Sequence, residues 1–378
     1  MTKAYKHRQQ TSASALAKRQ SGFSIFELMI ALMLGLVVVS GIVQLFSGNS
    51  RTYDLVNAQS RVQENARFAF EFISSAARRS GFFGCAPEND NIAKALLGNW
   101  NNIPEYNITE AVAGFEAVGD GTYVPNDLLT LPRSEGGTNV NVHVAGNGID
   151  GTVLDPASDV VFFRSISQPY ARLANTLQPT GTPVAHTPGG EPSFQNNDVV
   201  LISDCEQSAM IRITNAAVAG NQTTLNYATG LGNFDNGANI TTMAGDIIPA
   251  TLSVLGRSYG QASTVGVVET TYFFVAPSAD TNNRGANVNA LWRKVGSDAP
   301  VELVQGIQNM QVHYGVDLTN DGIDNVNQYQ TFEAVADPDT ITAIRVRLDV
   351  FSPDVLGETG QQLSRSFSKT ISVRNIGA

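Results

Sequence analysis

Cysteine and histidine are scarce. Among 378 residues there are two cysteines, Cys85 and Cys205, and four scattered histidines, His7, His143, His186 and His313. With no CxxC, the ligand spacing of a zinc site is absent, and the histidines read as structural or solvated. The cysteine pair fits a single disulfide made in an oxidising compartment. Charge is also low, at 15% against 42% hydrophobic residues, which excludes wholesale disorder. Basic residues are the scarcer sign, 24 against 34 acids, and Lys3, Lys6, Arg8, Lys18 and Arg19 lie in an opening segment that holds no acid. Beyond it nineteen cations face 34 acids, a net charge of about −15. Such a body disfavours binding to nucleic-acid phosphates, and no nucleic-acid partner is expected. No P-loop, GxSxG or HExxH pattern occurs, and no catalytic residue is nominated. Gly146, Gly148 and Gly151 fit GxGxxG, yet β-branched residues and Pro156 follow where a helix should, so the segment reads as a loop.

Proline is missing from Phe23 to Cys85, and within that stretch Leu28 to Phe46 carries no charge. Nineteen uncharged, predominantly apolar residues suffice to cross a hydrocarbon core of roughly 30 Å as a helix. The basic excess before the run places the amino terminus in the cytoplasm and the remainder across the membrane. The apolar run is longer than that of an ordinary secretory signal, and no small-residue cleavage site interrupts it. Past the membrane Leu55, Val62, Ala66, Ala69, Ile73 and Ala76 recur at helical spacing, with Phe70 and Ala77 beside them. One helix from Phe23 to Arg79, stopped at Ser80-Gly81, would be about 85 Å long at about 1.5 Å per residue. Gly35 and Gly41 are positions where helices could approach closely.

One acid, Glu27, stands at the front of this helix, where a carboxylate near the bilayer core costs about 2.5 to 3.5 kcal/mol unless it finds a partner or snorkels to the interface. The run Lys18 to Gly22, KRQSG, followed by FSIFELMIALMLGL with Glu27 fifth after Gly22, resembles the class III signal of type IV pilins and type II secretion pseudopilins. The resemblance implies cleavage by prepilin peptidase after Gly22 and methylation of the new amine of Phe23. It also implies that Glu27 pairs with the terminal amine of a neighbouring subunit during assembly. The 22-residue leader is long for many pilins.

The 34 Gly and 15 Pro, with abundant Asn and Thr, indicate short strands and long turns. Residues 81–158 read as a loop-rich insertion, and strands become frequent in the head, 159–378. DVVFFRSI from Asp159, DVVLISDC from Asp198, MIRIT from Met210 and TTLNYA from Thr223 come first. VVETTYFFVA from Val267, ALWRKV from Ala290, GIQNMQVHYGV from Gly306, TAIRVRLDVFS from Thr342 and SRSFSKTISVRN from Ser364 then alternate as in an antiparallel sheet with one buried face. Helix stripe and sheet face each need a cover, so the expected fold is α+β and pilin-like: a long amino-terminal transmembrane helix packed on antiparallel sheet. The helix segment is 23–80, with the span at about 28–46. A Cys85–Cys205 disulfide would tie its end to the head.

GFFGC at Gly81 to Cys85, ALWRKV, VELVQGIQNMQVHYGVD from Val301 and the closing SVRN at Ser372 resemble the PilW family of minor pilins. That resemblance implies a non-enzymatic subunit of type IV pili, held in the inner membrane as precursor and extracellular after assembly. It implies a role in priming assembly at or near the tip and presenting a PilY-type adhesin. Its partners would be other minor pilins, the major pilin, prepilin peptidase and the inner-membrane assembly platform. A pseudopilin J-like subunit of type II secretion shares the late strand pattern and is the nearest alternative. A membrane-tethered binding module or hydrolase using the same signal is another. No cofactor is required, although Asp317 to Gln328 resembles a calcium loop. There Asp317, Thr319 and Asp321 sit at positions one, three and five, Gly322 makes the turn, and Ile323 with Asp324 or Asn325 could close the shell. The final glutamate of an EF-hand is missing, and Asp, Asn and Gly also make plain turns.

Overall fold

The structure, a computed structural model, describes residues 22–85, 93–97, 106–108, 110–118, 123–124, 157–178, 181–206, 208–228, 236–241, 247–249, 258–296, 298–319, 325–357 and 360–373. The leader before Gly22, the glycines 146, 148 and 151, and the loop residues Asp321, Ile323 and Asp324 lie outside them. One helix, Ile25–Ala77, runs unbroken, as the lack of proline predicts. The chain divides into two units, Met1–Asp54 and Leu55–Ala378. In the first, the described helix is apolar on all sides and none of its membrane-length window is buried.

In the second unit the helix residues Ala58, Val62, Ala66, Ala69, Phe70, Ile73, Ala76 and Ala77 are buried. Leu55, expected in this stripe, is instead 49% exposed: the head's cover begins at Ala58, and a side chain one turn earlier has nothing to pack against. The stripe packs into a core with Val112, Val161, Phe273, Leu291, Ile307, Met310, Ile344, Val346 and Leu348. Four alanines let the helix backbone lie close to the sheet, while Val62 and Ile73 fill the space between.

The head is sheet. A four-stranded antiparallel sheet orders Gln328–Gln330, Ile307–Val316, Ile341–Phe351 and Ser364–Ser372. A larger sheet is organised by the 18-residue strand Thr264–Thr281. Residues 264–267 pair with Val199–Ser203 and residues 264–265 with Ala171–Leu173, while residues 268–273 pair with Val160–Ile166 and residues 271–281 with Asn287–Val295. All these pairings are antiparallel; Ala93–Leu97 and Ser208–Arg212 pair parallel. Gly306 joins the two sheets. It separates Val301–Gln305, paired in the larger one, from Ile307–Val316 in the smaller, and its φ of +80° is a conformation that L side chains rarely adopt. In the segment 81–158, Val112–Ala117 is a buried strand paired with Val160–Ile166, so this part belongs to the head's core rather than to a loop.

Candidate functional site

The amino-terminal motif, the helix-to-head junction and the polar groups of the head are the regions where chemistry could be concentrated. At the front, Ser24 caps the helix. Its Oγ accepts from the Phe26 N–H (3.3 Å), while its own N–H donates to Glu27 Oε2 (3.1 Å). This reciprocal pair is a capping box, in which two otherwise orphaned amides are satisfied. The S-x-x-E spacing of Ser24 and Glu27 is the signal for it in the sequence. Phe23 is 87% exposed, and a Cβ on Gly22 would meet nothing within 4 Å. Packing among the described residues therefore places no demand on glycine at 22. Gly35 and Gly41 are equally open.

Sequence GFFGC forms the corner between helix and head. The Gly81 N–H donates to the Arg164 carbonyl (2.9 Å), the Ile166 N–H to that of Phe82 (3.0 Å), and Ser203 Oγ to that of Phe83 (2.9 Å). Gly84 sits at φ +79°, where a Cβ would come within 2.9 Å of Thr264 Cβ, so both backbone and space require glycine. The next residue, Cys85, is disulfide-bonded to Cys205 across a sequence separation of 120, with Cα atoms 4.6 Å apart.

Sequence reasoning missed a polar knot at Ala157-Ser158-Asp159. These residues close the edge of Ile307–Val316: Asp159 N–H donates to the Met310 carbonyl (2.8 Å), and Ser158 Oγ accepts from the Met310 N–H (3.0 Å). Asn309 and Gln311 each donate a side-chain amide to the Ala157 carbonyl (2.8 Å). The Asp159 carboxylate, 2% exposed, accepts from the Ala117 N–H (3.0 Å) and the Val312 N–H (2.8 Å), joining strands of both sheets. Burial pushes its pKa up to about 7; the two amides oppose the rise and Glu116 adds to it. Burial also lifts Glu116, which His313 lowers and Glu333 raises, and drives the Tyr314 hydroxyl well above its usual range.

A cleft of about 260 Å³ gathers Tyr106, Glu191, Pro192, Asp198, Glu269 and Asp298. Burial raises Asp198 and Glu269, and Asp298 adds to both; Arg79 opposes the rise at Glu269 and the Gln195 N–H that at Asp198. The acids arrive from three separate segments, Glu191 and Asp198 sharing one, so no local pattern could reveal them. They concentrate negative charge and by themselves assign no reaction.

Of the proposed calcium ligands, Asp317, Thr319 and Asn325 are described. Asp317 Oδ1 accepts from both the N–H and the hydroxyl of Thr319 (2.8 Å each), and Oδ2 from the Asn325 N–H (3.1 Å). The Asn325 amide foremost, then Thr319, hold this carboxyl below its ordinary range. Asp317 is thus engaged by Thr319 and Asn325, while Asp321, Ile323 and Asp324, the other candidate ligands, lie outside the described residues.

Two family models match. Residues 17–43 match the prokaryotic N-terminal methylation motif, and residues 272–371 match the type IV pilus-assembly protein W. The second match covers the later half of Thr264–Thr281, the Asn287–Val295 strand and the four-stranded sheet, the strands that supply most of the cover for the helix stripe. No curated protein and no solved structure matches. This family is one of pilus assembly rather than of enzymes. With the methylation motif opening a membrane-length helix and the pilus-assembly match on the sheets that receive its end, the chain carries the inner-membrane anchor of a type IV pilin and resembles the PilW family.

Proposed function

We propose that this chain is a minor pilin that helps prime pilus assembly, sits at or near the tip and presents an adhesin. The precursor spans the inner membrane once, with its leader in the cytoplasm and its head in the periplasm. Prepilin peptidase cuts after Gly22 and methylates Phe23, and Glu27 then recruits the terminal amine of a neighbouring subunit. The observation that carries this reading is the pairing of the methylation motif with the pilus-assembly match in one chain. Other minor pilins, the major pilin, the assembly platform and a PilY-type adhesin are the partners it requires.

Mass spectrometry of shear-released pili tests it. The expected result is this protein, beginning at N-methylated Phe23, at far lower abundance than the major pilin and together with an adhesin. Gly22→Leu should leave the precursor in the membrane. Recovery with an intact leader, or absence from pili under conditions where other minor pilins are found, overturns the proposal. The pilus-assembly match at residues 272–371 favours this reading over a pseudopilin of type II secretion. Neighbouring genes for secretin and secretion ATPase, in place of pilins and an adhesin, would reverse that preference.

A further inference from the structure

The strand Ser364–Ser372 ends the four-stranded sheet, and among the described residues no strand covers its outer edge. It pairs with Ile341–Phe351 over its whole length with no bulge, from Ala343 opposite Ser372 to Phe351 opposite Ser364. Val373 N–H donates to the Thr342 carbonyl and Ser352 N–H to that of Leu363, so the odd-numbered residues turn their backbone groups inward. Ser364, Ser366, Ser368, Thr370 and Ser372 therefore turn their N–H and C=O outward. All five are small hydroxyl residues, none is proline, and among the described residues no strand pairs with their outward groups. Such an edge is a template for another strand.

Side chains specify what would fit. On the face that carries Ile371 into the helix-bearing core, the edge strand presents Arg365, Phe367 and Lys369. Phe367 packs against that core but is only partly buried, and it is flanked two residues away on each side by a cation. A strand laid alongside would complete the cover of Phe367 with an apolar residue and meet the cations with acids.

We infer that Ser364–Ser372 is a docking edge for an extended segment of another polypeptide carrying the pattern acid-x-apolar-x-acid, added as a fifth strand. The pattern reads the same in both directions, so parallel and antiparallel addition place the same side chains opposite Arg365, Phe367 and Lys369. The edge would act in this way whether or not the chain enters a filament.

The test uses the full chain in detergent micelles and two labelled nine-residue peptides, TTETVTETT and its charge-reversed counterpart TTKTVTKTT, with binding read by fluorescence anisotropy. Wild type should bind the acidic peptide at least tenfold more tightly than the basic one. Ser368→Pro removes only an outward N–H, which a proline at a sheet edge tolerates. It should keep the wild-type melting temperature yet weaken acidic-peptide binding at least tenfold. The double variant Arg365→Glu/Lys369→Glu should reverse the preference. If the acidic peptide fails to bind at millimolar concentration, or binds Ser368→Pro as well as wild type, the inference is wrong. Equal binding of both peptides, or self-association of the chain through this edge in place of peptide binding, overturns it as well.

Discussion

The two parts of the single helix solve opposite problems with the same backbone. Up to Asp54 its large apolar residues face outward on every side: Phe46 is 78% exposed and Val37 71%. From Ala58 a buried apolar stripe appears, with Val62, Ala69 and Ile73 fully buried, while Glu64, Arg67 and Glu71 lie on other faces and Phe68 and Phe72 stay exposed. A helix apolar all round is built for lipid or for other helices, and one with a stripe is built for its own sheet. The difference lies in pattern and side-chain size. Large residues without periodicity serve the first part, and alanines at helical spacing serve the second.

Placing a charge in each part breaks this comparison most sharply. Ile73→Asp buries an unpaired carboxylate and should abolish cooperative melting of the head, beyond about 4 kcal/mol. Val43→Asp should leave the melting of the head within about 0.5 kcal/mol of wild type while lowering membrane retention. Circular dichroism melts in micelles and membrane fractionation check the pair; equal destabilisation by both would erase the distinction.

Next in size is the disulfide, which fixes the end of the striped part. Closing a loop of 120 residues stabilises by about 4 to 5 kcal/mol on chain-entropy grounds. The double variant Cys85→Ser/Cys205→Ser should lose much of this in urea titrations, and reductant should reproduce the loss in wild type only.

A few kcal/mol at most should follow from Asp159. Folding raises its pKa from 3.8 to about 7, so the folded head holds this proton more tightly than the unfolded chain does. The contribution is fully present below about pH 4 and is lost as pH rises through about 7, with an upper value of about 4 kcal/mol at about 1.4 kcal/mol per pH unit. Urea midpoints should therefore fall between pH 5 and pH 8 in wild type. Asp159→Asn, already destabilised where its amide meets a backbone N–H, should show a flatter profile. The same change in Asp54→Asn, on the exposed helix, should leave the profile as it was.

How much of this was legible varies with how local the cause is. The helix, its end near Gly81 and the late strands follow from proline-free apolar spacing and from alternation in GIQNMQVHYGV and TAIRVRLDVFS, and the disulfide from there being only two cysteines. Val112–Ala117 escaped because VAGFEA contains a glycine and its first four residues are all buried, which leaves no alternation to read. Ala171–Leu173 and Val184–His186, three residues each, are too short to show a period. Asp159 reads as the polar residue before a strand; its burial is created by Ala117 and Val312, distant in sequence on both sides. The acidic cleft is equally non-local. Glu27 was legible as an acid in an apolar helix, while its capping partner Ser24 went unread three residues away.

That last pair gives the smallest and most discriminating effect. Glu27 accepts the Ser24 N–H within its own chain, and the proposed function asks a second, separable duty of it, to meet a neighbour's amine with its charge. Losing a cap costs about 1 kcal/mol and frays only the first turn. Ser24→Ala removes the acceptor for the Phe26 N–H and leaves the charge, so hydrogen exchange at Phe26 in micelles should quicken by several fold while incorporation into pili stays near wild type. Glu27→Gln keeps an acceptor oxygen for the Ser24 N–H and removes the charge, so the first turn should stay protected while incorporation falls. If both variants fray the turn and both assemble poorly, the cap itself is what assembly needs. If neither changes incorporation, Glu27 serves the helix end alone and the proposed pairing with a neighbour's amine fails.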